Sequence, residues 1–177
     1  MNSTSFITDY TIYEKVIRER IPETKVFLWL ATSDLKDLYI HEGKRMVPFL
    51  KCLSDLITAG VAVRLLHAKE PGPAFRKDFD RYPALIHGLE RILCPRVHFK
   101  CIVIDGQFAY SGSANLTGAG MGAKSPDRRN FESGFITTDT ALLETIMEQF
   151  DRIWMGQHCE KCGRKKYCSD FIDLTGK

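Results

Sequence analysis

The 177-residue sequence contains no apolar run of the length that a transmembrane helix needs. Its first segment, MNSTSFITDYTIYEKVIRERIPE, lacks the positively charged start and apolar core of a secretory leader. These two absences predict a cytoplasmic protein without a transmembrane segment. In that compartment the six cysteines are expected to be thiols or metal ligands rather than disulfides.

Repeats, low-complexity tracts and linkers are also lacking, so one domain of ordinary size is expected. With 44% hydrophobic residues, that domain can bury a proper core. We assign residues 1–157 to the main domain and residues 158–177 to a short, cysteine-rich tail. The net charge of +3 is compatible with an anionic ligand but does not by itself predict nucleic-acid binding.

The apolar pattern predicts an α/β fold. Residues 25–31 and 61–66 are apolar runs of strand length, and between them apolar side chains recur at helical spacing from Met46 to Ile57. This order of strand, helix and strand predicts a parallel crossover. A second helical pattern spans Pro83 to Leu93. Helix-capping residues are predicted at Asp9 and Asp139.

The stretch HFKCIVIDGQFAYSGSAN, residues 98–115, carries the most informative chemistry. Residues 97–104 alternate as a strand does, which places His98 and Lys100 on the same face. This pair suits phosphate chemistry, because the ammonium group can hold a phosphoryl oxygen while the imidazole attacks phosphorus.

The end of the same stretch is suited to anion binding. Gly112 lets the backbone approach a ligand closely, and Ser113 and Asn115 offer hydrogen-bond donors. Gly112 is therefore a candidate substrate-binding residue.

The pattern HxKxxxxD, followed after six residues by GSxN, resembles the HKD motif of the phospholipase D superfamily at every defined position. Glu132, within the sequence NFESG, is similar to a downstream acidic residue typical of that superfamily. The resemblance covers about residues 25–154 and implies an α/β/α sandwich with a mostly parallel central sheet. It implies that His98 is the nucleophile or the general acid and base, and that Lys100 and Asn115 bind the phosphoryl oxygens with the help of Ser113. It gives Asp105 a supporting role, and Glu132 the role of orienting the partner histidine.

Catalysis in that superfamily brings two HKD motifs together at one site. One histidine forms a covalent phosphohistidine, while the other protonates the leaving oxygen and then activates water. Because this chain carries one motif, the resemblance implies a homodimer with a shared active site, in which two His98 residues face each other across a twofold axis. It also implies phosphodiester chemistry that requires no metal ion.

The substrate remains open among three hypotheses. The favoured one is a nuclease cleaving DNA or RNA, similar to the small bacterial endonucleases that dimerise through one HKD motif. A loop at residues 117–130 is predicted to be mobile and to lie beside the site, where Lys124, Arg128 and Arg129 could bind the flanking phosphates of a polymer. The alternatives are a phospholipase D-type hydrolase of a cardiolipin-like phospholipid and a non-catalytic module that binds phosphate or nucleic acid.

The tail holds a second constellation, whose candidate metal ligands are His158, Cys159, Cys162 and Cys168. Such nitrogen and sulfur ligands predict a structural zinc ion. Adjacent residues cannot easily both bind one ion, so a fourth thiolate from the body of the domain, Cys52, Cys94 or Cys101, is an alternative to His158. The spacing CxxCxxxxxC, completed by a distant cysteine, also resembles the iron–sulfur staple of some helicase-associated nucleases. A tail without any metal is the third alternative. In either metal case the ion is expected to fasten the C-terminus rather than to react.

Overall fold

The computed structural model describes residues 3–36, 38–43 and 45–173. The strands are β1 (Thr4–Thr8), β2 (Phe27–Thr32), β3 (Leu35–Lys36), β4 (Tyr39–Glu42), β5 (Arg45–Pro48), β6 (Ala62–His67), β7 (Leu89–Leu93), β8 (Lys100–Ile104), β9 (Phe108–Gly112), β10 (Leu116–Thr117) and β11 (Ser133–Thr137). The α-helices are α1 (Tyr10–Ile12), α2 (Phe49–Thr58), α3 (Pro73–Phe79), α4 (Pro83–Gly88) and α5 (Thr140–Trp154). A π-helical segment (Tyr13–Arg20) continues α1, and short 3-10 turns lie at Ile21–Glu23, Pro126–Arg128 and Lys165–Tyr167.

Seven strands form the central sheet, in the order β1-β11-β9-β8-β2-β6-β7. Strands β2, β6 and β7 are parallel to one another, whereas the pairs β2–β8, β8–β9, β9–β11 and β11–β1 are antiparallel. It follows that β1, β2, β6, β7 and β9 run in one direction, whereas β8 and β11 run against them. The α/β class and the mostly parallel sheet are confirmed.

Alternation along β8 divides its side chains between two cores. Ile102 and Ile104 pack in the core that α2 covers, whereas Cys101 and Val103 face the core beneath α5. This division confirms the alternation predicted for residues 97–104, although the strand itself begins at Lys100. It gives the sandwich its helices on both faces. None of the helices within the described ranges is long and apolar enough to cross a membrane.

Two predicted helices are shorter than their apolar patterns indicated. The helix expected from Met46 begins at Phe49, because β5 pairs with β4 as a hairpin. The helix expected from Pro83 to Leu93 ends at Gly88, and the next five residues form β7 on the edge of β6. The apolar side chains of residues 89–93 fit the period of a helix or of a strand. The strand forms because its pairing satisfies the backbone N–H and C=O groups that β6 would otherwise expose.

Candidate active site

All of the motif residues except Asp105 meet at one end of the strands of the central sheet. Lys100 pairs with Gly112 across β8 and β9, and Gly112 pairs with Gly134 across β9 and β11. On the other side of β8, Cys101 pairs with Ala31 near the end of β2. The carboxyl ends of β2 and β9 therefore adjoin the amino ends of β8 and β11. Open α/β sheets commonly bind ligands at the carboxyl ends of their strands.

His98 and Lys100 lie at the amino end of β8. His98 precedes the strand and is exposed, whereas Lys100 is buried, with 7% of its surface accessible. The Lys100 ammonium group reaches back and donates a hydrogen bond to the His98 carbonyl oxygen at 2.5 Å. Burial lowers the pKa of Lys100, and the carboxylate of Glu132 opposes that shift. The ammonium group is thus held next to the accessible histidine.

Asn115 is fixed by the loop that follows β2. Its Oδ1 accepts hydrogen bonds from the backbone N–H groups of Ser33 and Asp34, at 3.2 and 3.1 Å, and from the Ser33 hydroxyl at 2.7 Å. The Thr32 hydroxyl donates to the same oxygen at 3.2 Å. Because backbone N–H groups can only donate, they settle the orientation of the amide, and Nδ2 is the end that can donate to a ligand.

Ser113 and Glu132 form the other side of the site. The Ser113 hydroxyl donates to Glu132 Oε2, and the Asn130 side-chain amide donates to Oε1 at 3.1 Å. The backbone of Glu132 is held in turn by Asp9, whose Oδ1 accepts from the Glu132 N–H at 2.9 Å. The sequence pattern predicted that Asp9 caps a helix, but the Asp9 side chain makes no capping hydrogen bond to α1. Its role beside Glu132 had no signal in the sequence.

Asp105 lies at the opposite end of β8, about 16 Å from Lys100 at 3.3 Å per residue. Its carboxylate accepts from the backbone N–H groups of Lys25, Val26 and Phe27 at 2.9, 2.8 and 2.9 Å, which fastens the start of β2. Burial alone would raise the pKa of Asp105, but these hydrogen bonds outweigh burial and lower it. The structure therefore does not bring Asp105 to the site.

Gly112 is required by packing between strands. A Cβ atom there would lie 2.5 Å from the Ser133 carbonyl oxygen and 2.8 Å from the Gly134 Cα. The buried ring of Tyr110 lies against both glycines, and burial raises the pKa of its hydroxyl to about 12. Packing against neighbouring backbone thus requires glycine at position 112, and the approach of a ligand to Gly112 stays a prediction.

The three predicted cations of the 117–130 loop lie in different surroundings. Arg128 is exposed. Arg129 stacks on the Tyr10 ring at 4.4 Å, and its Nε donates to the Lys124 carbonyl oxygen at 2.6 Å. Backbone hydrogen bonds within the loop, such as that from the N–H of Lys124 to Gly118, hold it in a defined conformation. Arg129 therefore has a structural contact, whereas Arg128 faces solvent.

Residues 17–154 match the family model described as "Cardiolipin synthase, PLD-like domain". The chain belongs to this PLD-like family. A search of curated proteins gave no significant match. Among solved structures, the fold is similar to that of Nuc from Salmonella typhimurium, a phospholipase D family member, with a TM-score of 0.65 and 16% identity over 87% of this chain and 95% of Nuc.

Two further structures share the fold. NucT from Helicobacter pylori has a TM-score of 0.65 and 12% identity, with 88% of this chain and 97% of NucT covered. TrmBL2, an archaeal chromatin protein with a novel mode of DNA binding, has a TM-score of 0.60 and 14% identity, with 86% and 52% covered. At such identities these likenesses establish the PLD-like fold alone.

A groove of about 630 Å³ adjoins the loop that holds Asn115 in this PLD-like domain. Asp34 lines the groove and forms ion pairs with Lys36 and Lys69 at 3.2 and 3.1 Å. Burial alone would raise the pKa of Asp34, but its bonds with Lys69 and Lys36 outweigh burial and lower it. The other walls include Lys124 and the apolar side chains of Leu35, Leu38, Tyr39, Phe49, Phe75 and Leu116. The groove thus combines cations with apolar walls.

The tail places its predicted ligands around a second pocket, of about 360 Å³. His158, Cys159, Cys162 and Cys168 all line this pocket, together with Cys94 from the segment before His98. Within the ranges that the structure describes, no three His, Cys, Asp or Glu side chains are already arranged to hold a metal ion. The predicted zinc site is considered further below.

Proposed function

We propose that the protein is a phosphodiesterase that forms a covalent phosphohistidine at His98 and cleaves nucleic acid as a homodimer. The proposal is carried by the meeting of three groups at one end of the strands: the exposed His98, the ammonium group of Lys100 and the oriented amide of Asn115. A nucleophile beside two donors of this kind is suited to attack on an anionic phosphodiester. Membership of the PLD-like family agrees with that chemistry.

In the proposed reaction, an imidazole nitrogen of His98 attacks phosphorus and the bond to the leaving oxygen breaks. The second copy's His98 donates a proton to that oxygen. It then takes a proton from water, whose oxygen attacks phosphorus and breaks the phosphorus–nitrogen bond. Lys100 and the Nδ2 group of Asn115 hold the non-bridging oxygens throughout. The carboxylate of Glu132, held by Ser113, orients the second histidine.

Nucleic acid is favoured as the substrate by an exposed aromatic side chain beside the site. Phe131 is 97% exposed and immediately precedes Glu132. An aromatic ring in this position can stack on a nucleobase next to the scissile phosphate, while the exposed guanidinium group of Arg128 contacts a flanking phosphate. A phospholipid is the second candidate, because apolar side chains line the groove beside Asn115 and could hold an acyl chain.

The chemistry is tested by hydrolysis of bis(p-nitrophenyl) phosphate, labelled single-stranded DNA and cardiolipin liposomes in EDTA. We expect the natural protein to cleave the first two and the His98→Ala variant to cleave neither. His87→Ala, which removes an exposed histidine on α4, is the matched control and should retain activity. Liposome hydrolysis with intact DNA would replace the nuclease by a phospholipase. Absence of all cleavage by a folded dimer, both with and without EDTA, would favour a binding module.

The shared site is tested by mixing natural and His98→Ala chains under conditions that exchange subunits. If each site needs two His98 residues, an equal mixture retains about a quarter of the activity, because only about a quarter of randomly formed dimers carry both. Retention of half the activity would contradict a shared site.

The role of Phe131 is tested separately from the chemistry. Loss of one stacking contact costs about 1–3 kcal/mol, so Phe131→Ala should raise KM for single-stranded DNA roughly 5- to 150-fold. Turnover of bis(p-nitrophenyl) phosphate should not change. Ile86→Ala, which truncates an exposed apolar residue on α4, is the control. An equal effect of both variants would contradict base stacking.

A further inference from the structure

The cysteine-rich tail is attached to the segment that leads into His98. Asp170 Oδ2 accepts from the Leu93 N–H at 2.7 Å, and the Cys168 thiol donates to the Leu93 carbonyl oxygen at 3.3 Å. Arg164 Nη1 donates to the Pro95 carbonyl oxygen at 3.3 Å. These contacts join the last described residues to the chain immediately before the catalytic strand β8.

The tail has no apolar core of its own to hold these contacts in place. None of residues 157–173 is buried, and their only helical element is the single 3-10 turn at Lys165–Tyr167. Small segments that cannot bury apolar surface commonly depend on a metal ion or on disulfides for their order. The four cysteines around the second pocket are the groups in this region that can supply such a link.

We propose that Cys94, Cys159, Cys162 and Cys168 bind one zinc ion, which fastens the tail to the segment before His98. Four thiolates at one point are a common ligand set for a closed structural zinc site. The CxxC spacing lets Cys159 and Cys162 take the same ion, and the backbone bond from the Cys162 N–H to the Cys159 carbonyl oxygen, 3.0 Å long, closes the turn between them.

Cys94 is preferred to the other candidates for the fourth ligand. Cys94 is partly buried and lines the pocket, whereas Cys52 and Cys101 are buried in the two cores and do not line it. His158 lines the pocket but adjoins Cys159, so both cannot easily turn towards one ion. This assignment revises the ligand set that the sequence of the tail indicated.

Binding requires a local rearrangement. The Cys168 sulfur lies 3.3 Å from the Leu93 carbonyl oxygen, and this contact must break when the sulfur binds zinc as a thiolate. The cysteines that line the pocket must also move closer together, because no three of the described His, Cys, Asp or Glu side chains are already arranged to hold a metal ion. Cys94 lies only four residues before His98, so zinc binding should restrict the motion of the histidine segment.

The ligand set is tested by metal analysis of the full chain after dialysis. We expect one zinc ion per natural chain and loss of zinc in Cys94→Ser, with affinity reduced by more than the roughly 10- to 100-fold that loss of an outer-shell partner costs. His158→Ala and Cys52→Ser are the matched controls and should retain zinc. Loss of zinc in His158→Ala with retention in Cys94→Ser would overturn the assignment of Cys94.

A second measurement does not depend on the folding of any variant. Cobalt(II) bound to the natural protein should give the visible absorption of a tetrahedral tetrathiolate site rather than that of three thiolates and an imidazole. Chelation should also speed amide hydrogen exchange in residues 93–99 but not in α2. A disulfide between two of the four cysteines, or iron with acid-labile sulfide, would overturn the zinc site. None of these readouts depends on the proposed function.

Discussion

Asp105 allows the structural and chemical parts of the HKD motif to be separated. The motif resemblance groups Asp105 with the catalytic residues, yet its carboxylate binds the start of β2 at the far end of the sheet. We therefore predict that replacing Asp105 lowers stability and leaves the chemistry of the folded protein largely intact.

The size of the effect follows from the three backbone hydrogen bonds. Each contributes roughly 0.5–1.5 kcal/mol to the free energy of unfolding. Because Lys25 and Val26 are exposed, we take about 1 kcal/mol for each bond, which gives a total of about 3 kcal/mol. Asp105 also has a φ of 54°, a left-handed conformation that costs alanine about 1 kcal/mol more. Asp105→Ala should therefore lower the free energy of unfolding by about 4 kcal/mol and Tm by roughly 8–16 °C.

A milder variant checks this account. Asp105→Asn tolerates the left-handed conformation and keeps one carbonyl oxygen, which can still accept from Val26 and Phe27. It loses the bond from Lys25, so the expected decrease is about 1–2 kcal/mol. The order of stability should be natural protein, then Asn, then Ala.

The assay combines urea unfolding with hydrolysis of bis(p-nitrophenyl) phosphate at a temperature well below Tm. Per folded molecule, both Asp105 variants should retain activity within about twofold of the natural protein, an allowance of about 0.4 kcal/mol. His98→Ala should show the converse, with activity lost and stability changed by no more than about 0.5 kcal/mol. An Asp105→Asn variant with natural stability and no activity would refute the reasoning.

Three further predictions follow from the site and its surroundings. Asn115→Asp can still accept hydrogen bonds from Ser33, so the fold should survive, but it replaces the Nδ2 donor by a negative charge. We expect kcat/KM to fall by about 100- to 1000-fold. A loss below about tenfold would contradict the role of Nδ2. Burial lowers the pKa of His67 in the folded protein, so on acidification the unfolded chain binds the proton first. The free energy of unfolding should therefore fall as pH drops below about 6.5. In urea titrations His67→Gln should lose that part of the pH dependence. Gly112→Ala should destabilise the protein by about 1–3 kcal/mol, because its Cβ meets backbone atoms, whereas Gly72→Ala, with nothing within 4 Å, should show little change in thermal unfolding.

The sequence predicted those features whose determinants are local or periodic. The fixed spacing from His98 to Asn115 indicated the family, and alternation along residues 97–104 gave the correct division of Cys101 and Ile102 between the two cores. Asp139 was correctly predicted to cap α5, where its side chain accepts from the Leu142 N–H at 3.0 Å. In each case the relevant neighbours lie within a few residues, so spacing alone carries the information.

Features that join distant parts of the chain needed the tertiary structure. The apolar pattern of residues 83–93 suited a helix, and only pairing with β6 made its second half a strand. Strand pairing likewise brings Asp9 to Glu132 and Asp105 to Phe27, contacts across 123 and 78 residues. Side-chain chemistry by itself does not specify such partners, because the same carboxylate can cap a helix, bind backbone or hold a catalytic group.

The sequence by itself therefore determined which chemical groups the protein carries and the period of the elements that bear them. The tertiary structure decided which of those groups act together. It separated Asp105 from the motif histidine by the length of β8, fixed the amide of Asn115 with donors from the end of β2 and brought Cys94 to the cysteines of the tail. The physical reason is that sheet order and register bring together residues that lie far apart in the chain.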